Sequence, residues 1–376
     1  MKVLHIITDL DVGGTEIVLL NLLRKQDKNK CQSVVLSIKS PGKIAEKIQE
    51  CGVPVHSLYI DSKWRILKVL CGVIRVIRKE KPDIINTWLY HADFIGFIAS
   101  KLCLKKNVIW NIRCSDIDQN KLMLSTLITL KINSFLSRFV TCIIVNSIKG
   151  KKWHSDRGFR PLSWEYIPNG YDINDWETSV EKRSEIRNEL KLNDDSFVVG
   201  MVARYDHLKD HATFLKAMRL VISDLPNISV IMIGKDVDDN NVELSEIIRS
   251  LGLNESVILL GIKNKMIDYY ACMDLLVMSS VTEGFPNVIG EAMSAGLPCI
   301  STNVGDASSL INDKHRIVAV RNHMEMGNKI INYIQLGKGE RESISKASRH
   351  RVLENYSLDM MVTRYQQLYN SFLFAG

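Results

Sequence analysis

Leu275-Leu276-Val277-Met278-Ser279-Ser280-Val281-Thr282-Glu283-Gly284-Phe285-Pro286-Asn287-Val288-Ile289-Gly290-Glu291-Ala292-Met293-Ser294-Ala295-Gly296-Leu297-Pro298 changes pattern twice, and those changes decide the fold. The apolar run Leu275–Met278 reads as a strand of a parallel sheet, covered on both faces. Gly284 marks a turn, and Pro286 fits the first position of a helix. The helix is predicted over Val288–Ala295 and is closed by Gly296 and Pro298. A strand, a turn and a helix in that order form half of a βαβ unit and point to an α/β protein. Nearly every face of the helix is apolar, which predicts burial. Glu291 is its one charge, and a buried carboxylate is costly unless it gains partners. Two readings fit it: a structural cap on a neighbouring loop, or an acceptor for ligand hydroxyls beside a helix end that attracts anions.

Outward from this stretch the same alternation fills the chain. Upstream, strands are predicted at Val3–Thr8, Ser33–Ser37, Val55–Leu58, Asp83–Thr87, Val108–Asn111, Cys142–Asn146 and Trp164–Ile167. Helices are predicted at Thr15–Lys25, Trp64–Lys79, Ala92–Leu102 and from Leu122 onward. Pro168-Asn169-Gly170-Tyr171-Asp172 then breaks the pattern and opens a polar crossing. A second series follows: strands Phe197–Val202, Ser229–Ile233, Val257–Leu260, Leu275–Met278 and Cys299–Ser301, with helices His211–Ser223, Val242–Leu251 and Met266–Cys272 between them. Two such series mean two Rossmann-like domains with a ligand cleft between them. The expected boundaries are 1–175 and 176–356.

A length of 376 residues suits two domains, each able to bury a sizeable core. Charge is unevenly spread. Residues 1–170 hold 27 Lys and Arg against 14 Asp and Glu, whereas residues 171–376 hold 22 against 28. The basic half suits either an anionic partner or a plain solvated surface. Eight cysteines include no Cys-x-x-Cys pair, which fits reduced thiols. No signal peptide or membrane span is expected. The segment from Leu122 to Val145 contains an amphipathic helix, which either packs in a core or lies at a membrane interface.

Four further segments carry chemistry. Asp9-Leu10-Asp11-Val12-Gly13-Gly14-Thr15-Glu16 joins the first strand to the first helix. Its glycines allow close backbone approach to a ligand; the alternative is a plain turn with Thr15 as N-cap. It is not Gly-x-Gly-x-x-Gly, which argues against a dinucleotide. Val202-Ala203-Arg204-Tyr205-Asp206-His207-Leu208-Lys209-Asp210-His211 ends the second series' first strand, and its Arg204 and Lys209 can neutralise a pyrophosphate. His91, after Trp88-Leu89-Tyr90, either bonds a ligand hydroxyl or makes local bonds at a helix start. Arg113 ends another strand and can face an anion; Asn169 sits in an Asn-Gly turn. The pairs Asp9/Asp11, Asp116/Asp118 and Asp236/Asp238 lack a metal-site context, so no metal or cofactor is expected.

The Glu283-x7-Glu291 spacing, with Gly-Phe-Pro inside it and Gly-x-Pro after it, resembles the signature of retaining GT-B glycosyltransferases of family 4 (glycosyl transferases group 1), of the bacterial surface-polysaccharide type. The resemblance covers essentially the whole chain and is strongest from Val199 to Asp306. It implies the GT-B fold, two Rossmann-like doubly wound parallel-sheet domains facing across a cleft, with helix 357–376 packing back on the first. It implies transfer of a sugar from a nucleotide-sugar, a UDP-sugar, to a glycan or polyprenyl-diphosphate-linked acceptor. The leaving phosphate would take the acceptor's proton, so no protein base is expected. Glu283 and His91 would position the sugar, and Glu291 would hold the ribose. Gly284, Phe285, Pro286 and Asn287 would line the donor site. Arg204, Lys209 and the Gly13 and Gly14 amides would stabilise the diphosphate; Arg113 would face the donor or an acceptor phosphate, and Asn169 would join the donor site. The family often has Gly where Ala203 stands. A cytoplasmic enzyme at the inner membrane face, touching anionic lipid through its basic domain and no nucleic acid, is the implied setting. A sugar-nucleotide epimerase or hydrolase, and a non-catalytic nucleotide-sugar-binding protein, are the alternatives.

Overall fold

The computed structural model describes residues 1–11, 13–60, 66–113, 124–193, 195–225 and 227–373. The chain forms two compact units, Met1–Gly170 joined by the chain from Leu358 onward, and Tyr171–Ser357. In the first unit, strands β1 (Lys2–Ile7), β2 (Gln32–Ser37), β3 (Val55–Ser57), β4 (Ile84–Trp88), β5 (Val108–Ile112), β6 (Cys142–Val145) and β7 (Ser163–Tyr166) alternate with helices. These helices are α1 (Gly14–Lys25), α2 (Gly42–Glu50), α3 (Ile66–Glu80), α4 (Tyr90–Leu102), α5 (Leu124–Leu136) and α6 (Ile148–Asp156).

The second unit begins with α7 (Val180–Glu189). Strands β8 (Phe197–Val202), β9 (Ile228–Ile233), β10 (Val257–Leu259), β11 (Leu275–Met278), β12 (Cys299–Thr302) and β13 (Ile317–Val318) follow. Between and after them lie α8 (His211–Asp224), α9 (Val242–Ser250), α10 (Met266–Cys272), α11 (Asn287–Ser294), α12 (Ala307–Ile311), α13 (His323–Gln335) and α14 (Lys338–Asn355). The last helix, α15 (Leu358–Leu373), belongs to the first unit.

Every pairing between named strands is parallel. The first sheet runs β3-β2-β1-β4-β5-β6-β7 and the second β10-β9-β8-β11-β12-β13. In both, the order reverses next to the first strand: between β1 and β4, and between β8 and β11. Helices leaving such neighbours diverge to opposite faces, which opens a crevice at the carboxyl ends of the strands. Strands buried at every position, such as β4 and β5, carry the apolar runs that a two-sided sheet requires. Alternate residues of β1 serve opposite faces: Val3 and Ile7 pack with α1 and with Tyr365 and Tyr369 of α15, while Leu4 and Ile6 pack with Val73 and Ile77 of α3. His5 falls on the α15 face, where Trp88 Nε1 donates to its Nδ1 at 3.2 Å. Burial lowers its pKa to about 3, so the ring is neutral.

Some expectations need correction. Helix α1 begins at Gly14 with Gly13 as its N-cap, so Thr15 lies inside the helix. Pro286 is the N-cap of α11, not its first residue, because its ψ of 95° is extended. The strand before His91 runs to Trp88, which puts His91 in the first turn of α4. Helix α2 was not expected. Its Ile44, Ala45 and Ile48 share one buried face, but three apolar residues among charges give a faint signal. The division between units falls after Gly170 rather than after residue 175. Tyr171 N donates to Tyr356 O at 2.9 Å, and the Tyr171 ring joins the second core. The Asp116/Asp118 pair and the helix starts expected at Trp64 and Leu122 lie outside the described residues.

Candidate functional site

The reversal between β8 and β11 gathers most of the expected residues of the second unit. Beyond β8 the chain runs through Arg204 to Lys209, and beyond β11 it runs through Glu283 into α11. The two segments are stitched together by hydrogen bonds. Val281 N donates to Leu208 O at 2.8 Å, and Ser279 Oγ lies 2.9 Å from both Lys209 O and Asp210 O. Lys209 Nζ donates to Glu283 Oε1 at 2.5 Å, and Ser280 Oγ donates to the same oxygen at 2.7 Å. Thr302 Oγ1 in turn holds Ser280 O at 2.6 Å. The ion pair is mostly sheltered, so removing either partner would strand a charge. Arg204 differs: its side chain is 62% exposed and, among the described residues, its one polar partner is Asp206, at 3.3 Å, which leaves donors for an anion.

The loop after Glu283 depends on a glycine distant in sequence. Gly305 has φ +48°, and a Cβ there would strike Gly284 O. Asp306 N donates to Gly284 O at 3.1 Å. Phe285 is buried in the second core 5.9 Å from the Tyr356 ring, so it anchors the loop from beneath. Asn287 Oδ1 accepts from Tyr171 OH at 3.2 Å, and the Tyr171 ring fills the space a side chain at Gly290 would need. The far end of α11 is held as well. Arg349 donates to Ser294 O, placing a cation at the negative helix end.

Glu291 lies in the second turn of α11, largely buried. Its Oε2 accepts from Tyr270 OH at 3.0 Å, and its Oε1 has no hydrogen-bond partner among the described residues. Burial raises the carboxyl pKa, and the Tyr270 hydrogen bond partly offsets this. Such a carboxylate is braced on one oxygen and open on the other, an arrangement suited to accepting hydroxyls. Tyr270, Ser280 and Gly305 were not singled out in the sequence. Only Gly305, just beyond the end of β12, carried a signal.

In the first unit the reversal between β1 and β4 places two expected segments on neighbouring strand ends, since Ile7 pairs with Trp88. Gly13 is extended, and a Cβ there would strike the Glu16 carboxylate. Glu16 is buried and its pKa is raised by that burial. Behind the loop, Gly42 (φ +63°) leaves no room for a side chain against Leu10 and Asp11, and Ile44 N holds Leu10 O at 3.0 Å. His91 is half-buried beside Leu89, whose φ of 72° and ψ of 155° belong to a region that is nearly glycine-only. Strain of this kind, about 1–3 kcal/mol, persists only where the surroundings impose it.

Arg113 and Asn169 come together, but within a packed cluster. Arg113 Nε donates to Asn111 Oδ1 at 2.8 Å, Nη1 to Asn169 Oδ1 at 2.7 Å, and Nη2 to Tyr365 OH. Its guanidinium lies 5.1 Å from the Trp88 ring centre. With these donors committed, the arginine ties α15 to the carboxyl ends of β4 and β5.

Two family profiles cover most of the chain: Glycosyltransferase Family 4 matches residues 12–175, and Glycosyl transferases group 1 matches residues 182–351. The chain belongs to the group 1 glycosyltransferases. This glycosyltransferase is 26% identical over 255 residues to the UDP-Gal:alpha-D-GlcNAc-diphosphoundecaprenol alpha-1,3-galactosyltransferase of Escherichia coli; the match spans 66% of this chain and 65% of that one, just under two thirds of the relative. It is 25% identical over 313 residues to the capsular polysaccharide biosynthesis glycosyltransferase CapM of Staphylococcus aureus, spanning 82% and 81% of the two chains. HepE of Anabaena, solved in complex with UDP and glucose, superposes with a TM-score of 0.84 at 22% identity over 99% of this chain and 100% of that one. That likeness is one of fold, and the fold is GT-B, with two doubly wound parallel sheets.

Proposed function

We propose that this glycosyltransferase moves a sugar from a UDP-sugar to a glycan or polyprenyl-diphosphate-linked acceptor in bacterial surface-polysaccharide assembly, retaining configuration at the anomeric carbon. The observation that carries the reading is the crowding of Arg204, Lys209, Glu283 and Glu291 onto the reversal between β8 and β11. Crevices at such reversals are where open α/β sheets bind ligands. In the proposed complex, Glu291 accepts ribose hydroxyls through its open oxygen. Arg204 and Lys209 face the diphosphate, on which negative charge grows as the glycosidic bond breaks, so they favour the transition state over the ground state. Glu283, held by Lys209 and Ser280, positions the sugar, and the departing phosphate takes the acceptor's proton. His91 and the Gly13 and Gly14 amides contribute from the first unit. Arg113 and Asn169 are positioning residues. Two cations at the diphosphate supply the charge a metal would bring, so the reaction is proposed to run without one. The relatives support the donor and acceptor classes: UDP-Gal and a diphosphoundecaprenol for one, a capsular polysaccharide for another, and UDP in the HepE complex.

The test is UDP release across a panel of nucleotide-sugars in EDTA, with and without a bacterial lipid extract. Release from one donor that depends on the extract and is lost in Glu291→Ala supports the reading. Conversion of a donor to another nucleotide-sugar without acceptor would make the protein an epimerase. Binding of every donor without release under any acceptor would make it a sensor.

A further inference from the structure

The second sheet has a cavity at the end opposite the crevice. Phe197 at the start of β8, Met273 and Asp274 just before β11, and Leu297 and Pro298 just before β12 line it, so it sits at the amino ends of these strands. Its volume is about 400 Å³. Close-packed interiors leave few voids larger than a water molecule, and this one is of the size that small-molecule sites have. It admits a metabolite and not a folded partner.

Arg183, Lys338 and Arg341 face Asp274 and Glu342 in its lining. Asp274 is already neutralised: Arg183 donates to one oxygen at 2.6 Å, and Arg187 and Val198 N each donate to the other at 2.8 Å. Of the lining carboxylates only Glu342, which is exposed, opposes the remaining cations. Lys338 opens α14, is exposed, and has no hydrogen-bond or ion-pair partner among the described residues. Arg341 spends Nη1 on Ile334 O at 2.6 Å and Leu336 O at 2.7 Å, while its Nε and Nη2 have no partner among the described residues. Its guanidinium lies 5.7 Å from the ring centre of Phe197, which in turn meets Tyr333 edge-on at 6.3 Å. An ammonium and one edge of a guanidinium thus stand unused beside an aromatic wall. Two contacts tie the cavity to the crevice. Tyr270 lines it, and the Tyr270 hydroxyl holds Glu291 Oε2 at 3.0 Å. Ala295 and Gly296 in its wall close the helix that carries Glu291, and Ser345, also in the wall, donates to Gly296 O at 2.6 Å.

We propose that this cavity is a regulatory site for a small organic phosphate, of the size of a phosphorylated monosaccharide. Lys338 and the open edge of Arg341 hold the phosphate, one as a point charge and the other as a fork, and the carbon body lies against the aromatic wall. Occupancy changes the setting of Tyr270 and of the end of α11, and with them the hold on Glu291. Sugar phosphate and nucleotide therefore alter each other's affinity by one common factor. This coupling rests on the proposed role of Glu291; the cavity and its cations do not.

The experiment is calorimetric titration of the full chain, with and without saturating UDP, using inorganic phosphate, ribose 5-phosphate and glucose 6-phosphate as probes. At least one sugar phosphate should bind at one site per chain, more tightly than inorganic phosphate. Lys338→Glu should weaken it about tenfold or more through loss of a charge-assisted contact, and Thr178→Trp, at an exposed lining position, should block it. Neither variant should change UDP affinity in the absence of a probe, which also reports that the second unit is folded. In the reverse titration the bound sugar phosphate should shift the UDP Kd by about fivefold or more, and Tyr270→Phe should remove that shift while the sugar phosphate still binds. No binding of any probe, or binding that neither Lys338→Glu nor Thr178→Trp weakens, overturns the proposal. Binding without a shift in UDP affinity overturns the regulatory role. A rise in UDP Kd that Lys338→Glu leaves intact is competition at the donor site and overturns it as well. Sugar-phosphate binding is read without UDP and without transfer, so failure here is distinguishable from failure of the proposed activity.

Discussion

Tyr270→Phe offers a pointed test of how the second unit holds its ligand. The substitution removes one oxygen and keeps the ring, which sits 5.8 Å from that of Trp176. The lost contact is the 3.0 Å hydrogen bond to Glu291 Oε2. A hydrogen bond to a charged group contributes about 1.5–3 kcal/mol, and one pKa unit corresponds to about 1.4 kcal/mol. The Glu291 pKa, already raised by burial, should therefore climb further once the Tyr270 hydrogen bond that lowers it is gone. A carboxylate accepts ribose hydroxyls better than the protonated acid does. On the proposed role of Glu291, protonation should therefore weaken UDP binding, and in the variant that weakening should reach to higher pH. The assay is calorimetric titration with UDP from pH 5.5 to 9, read as the ratio of variant to wild-type Kd, in which the nucleotide's own titration cancels. The ratio should be largest at the acid end of the range, about tenfold for a contribution of about 1.4 kcal/mol, and shrink toward alkaline pH. A flat ratio across the range would leave Tyr270 a packing residue with no part in setting the Glu291 charge.

Arg204→Ala should lower kcat by about 10²–10³ through lost stabilisation of the departing diphosphate, with an unchanged unfolding midpoint because the side chain is mostly exposed. Equal activity would remove Arg204 from the mechanism. Asp93 is buried, with its pKa raised well above the carboxylate range by desolvation; Thr87 Oγ1 donates to one oxygen, and the other has no partner among the described residues. A raised folded pKa gives stability that is present below the unfolded value near 4 and lost as pH rises through the folded one. Urea unfolding of Asp93→Asn against wild type should thus favour the variant increasingly as pH rises above the unfolded value, until the folded one is passed, and a constant difference would contradict the assignment. Leu89→Gly should relieve backbone strain and raise stability by about 1 kcal/mol, while shifting His91 and raising the donor KM; a destabilised variant would show that Leu89 is not strained.

The parts of the fold and site legible in the sequence are those written in adjacent residues. Leu275–Met278 followed by Gly284 and Pro286 announces a buried strand, a turn and a helix, and that unit stands where expected. Arg204 and Lys209 were visible because they end an apolar run. What could not be read depends on contacts between distant residues. Tyr270 meets Glu291 only because α10 and α11 pack in one core, and Gly305 backs the Gly284 loop only because β12 lies beside β11. Arg113 looked like an anion ligand until Asn169, 56 residues on, and Tyr365, 252 residues on, took up its donors. The orientation of α5 was equally hidden. Its periodicity predicts an amphipathic helix but not which face turns inward, and Asn133 decides that through Tyr90.

In the proposed reaction the β8/β11 crevice breaks the bond between a sugar and a nucleoside diphosphate, and the sugar passes, with its configuration retained, to another hydroxyl. Proton NMR of one reaction reports it directly, with the active UDP-sugar, the lipid extract and EDTA in the tube. The donor's anomeric signal should disappear as free UDP forms in equal amount, and the new glycosidic proton should keep the donor's small or large coupling. A new glycosidic proton of the opposite coupling, or loss of the donor signal without any UDP, would contradict it.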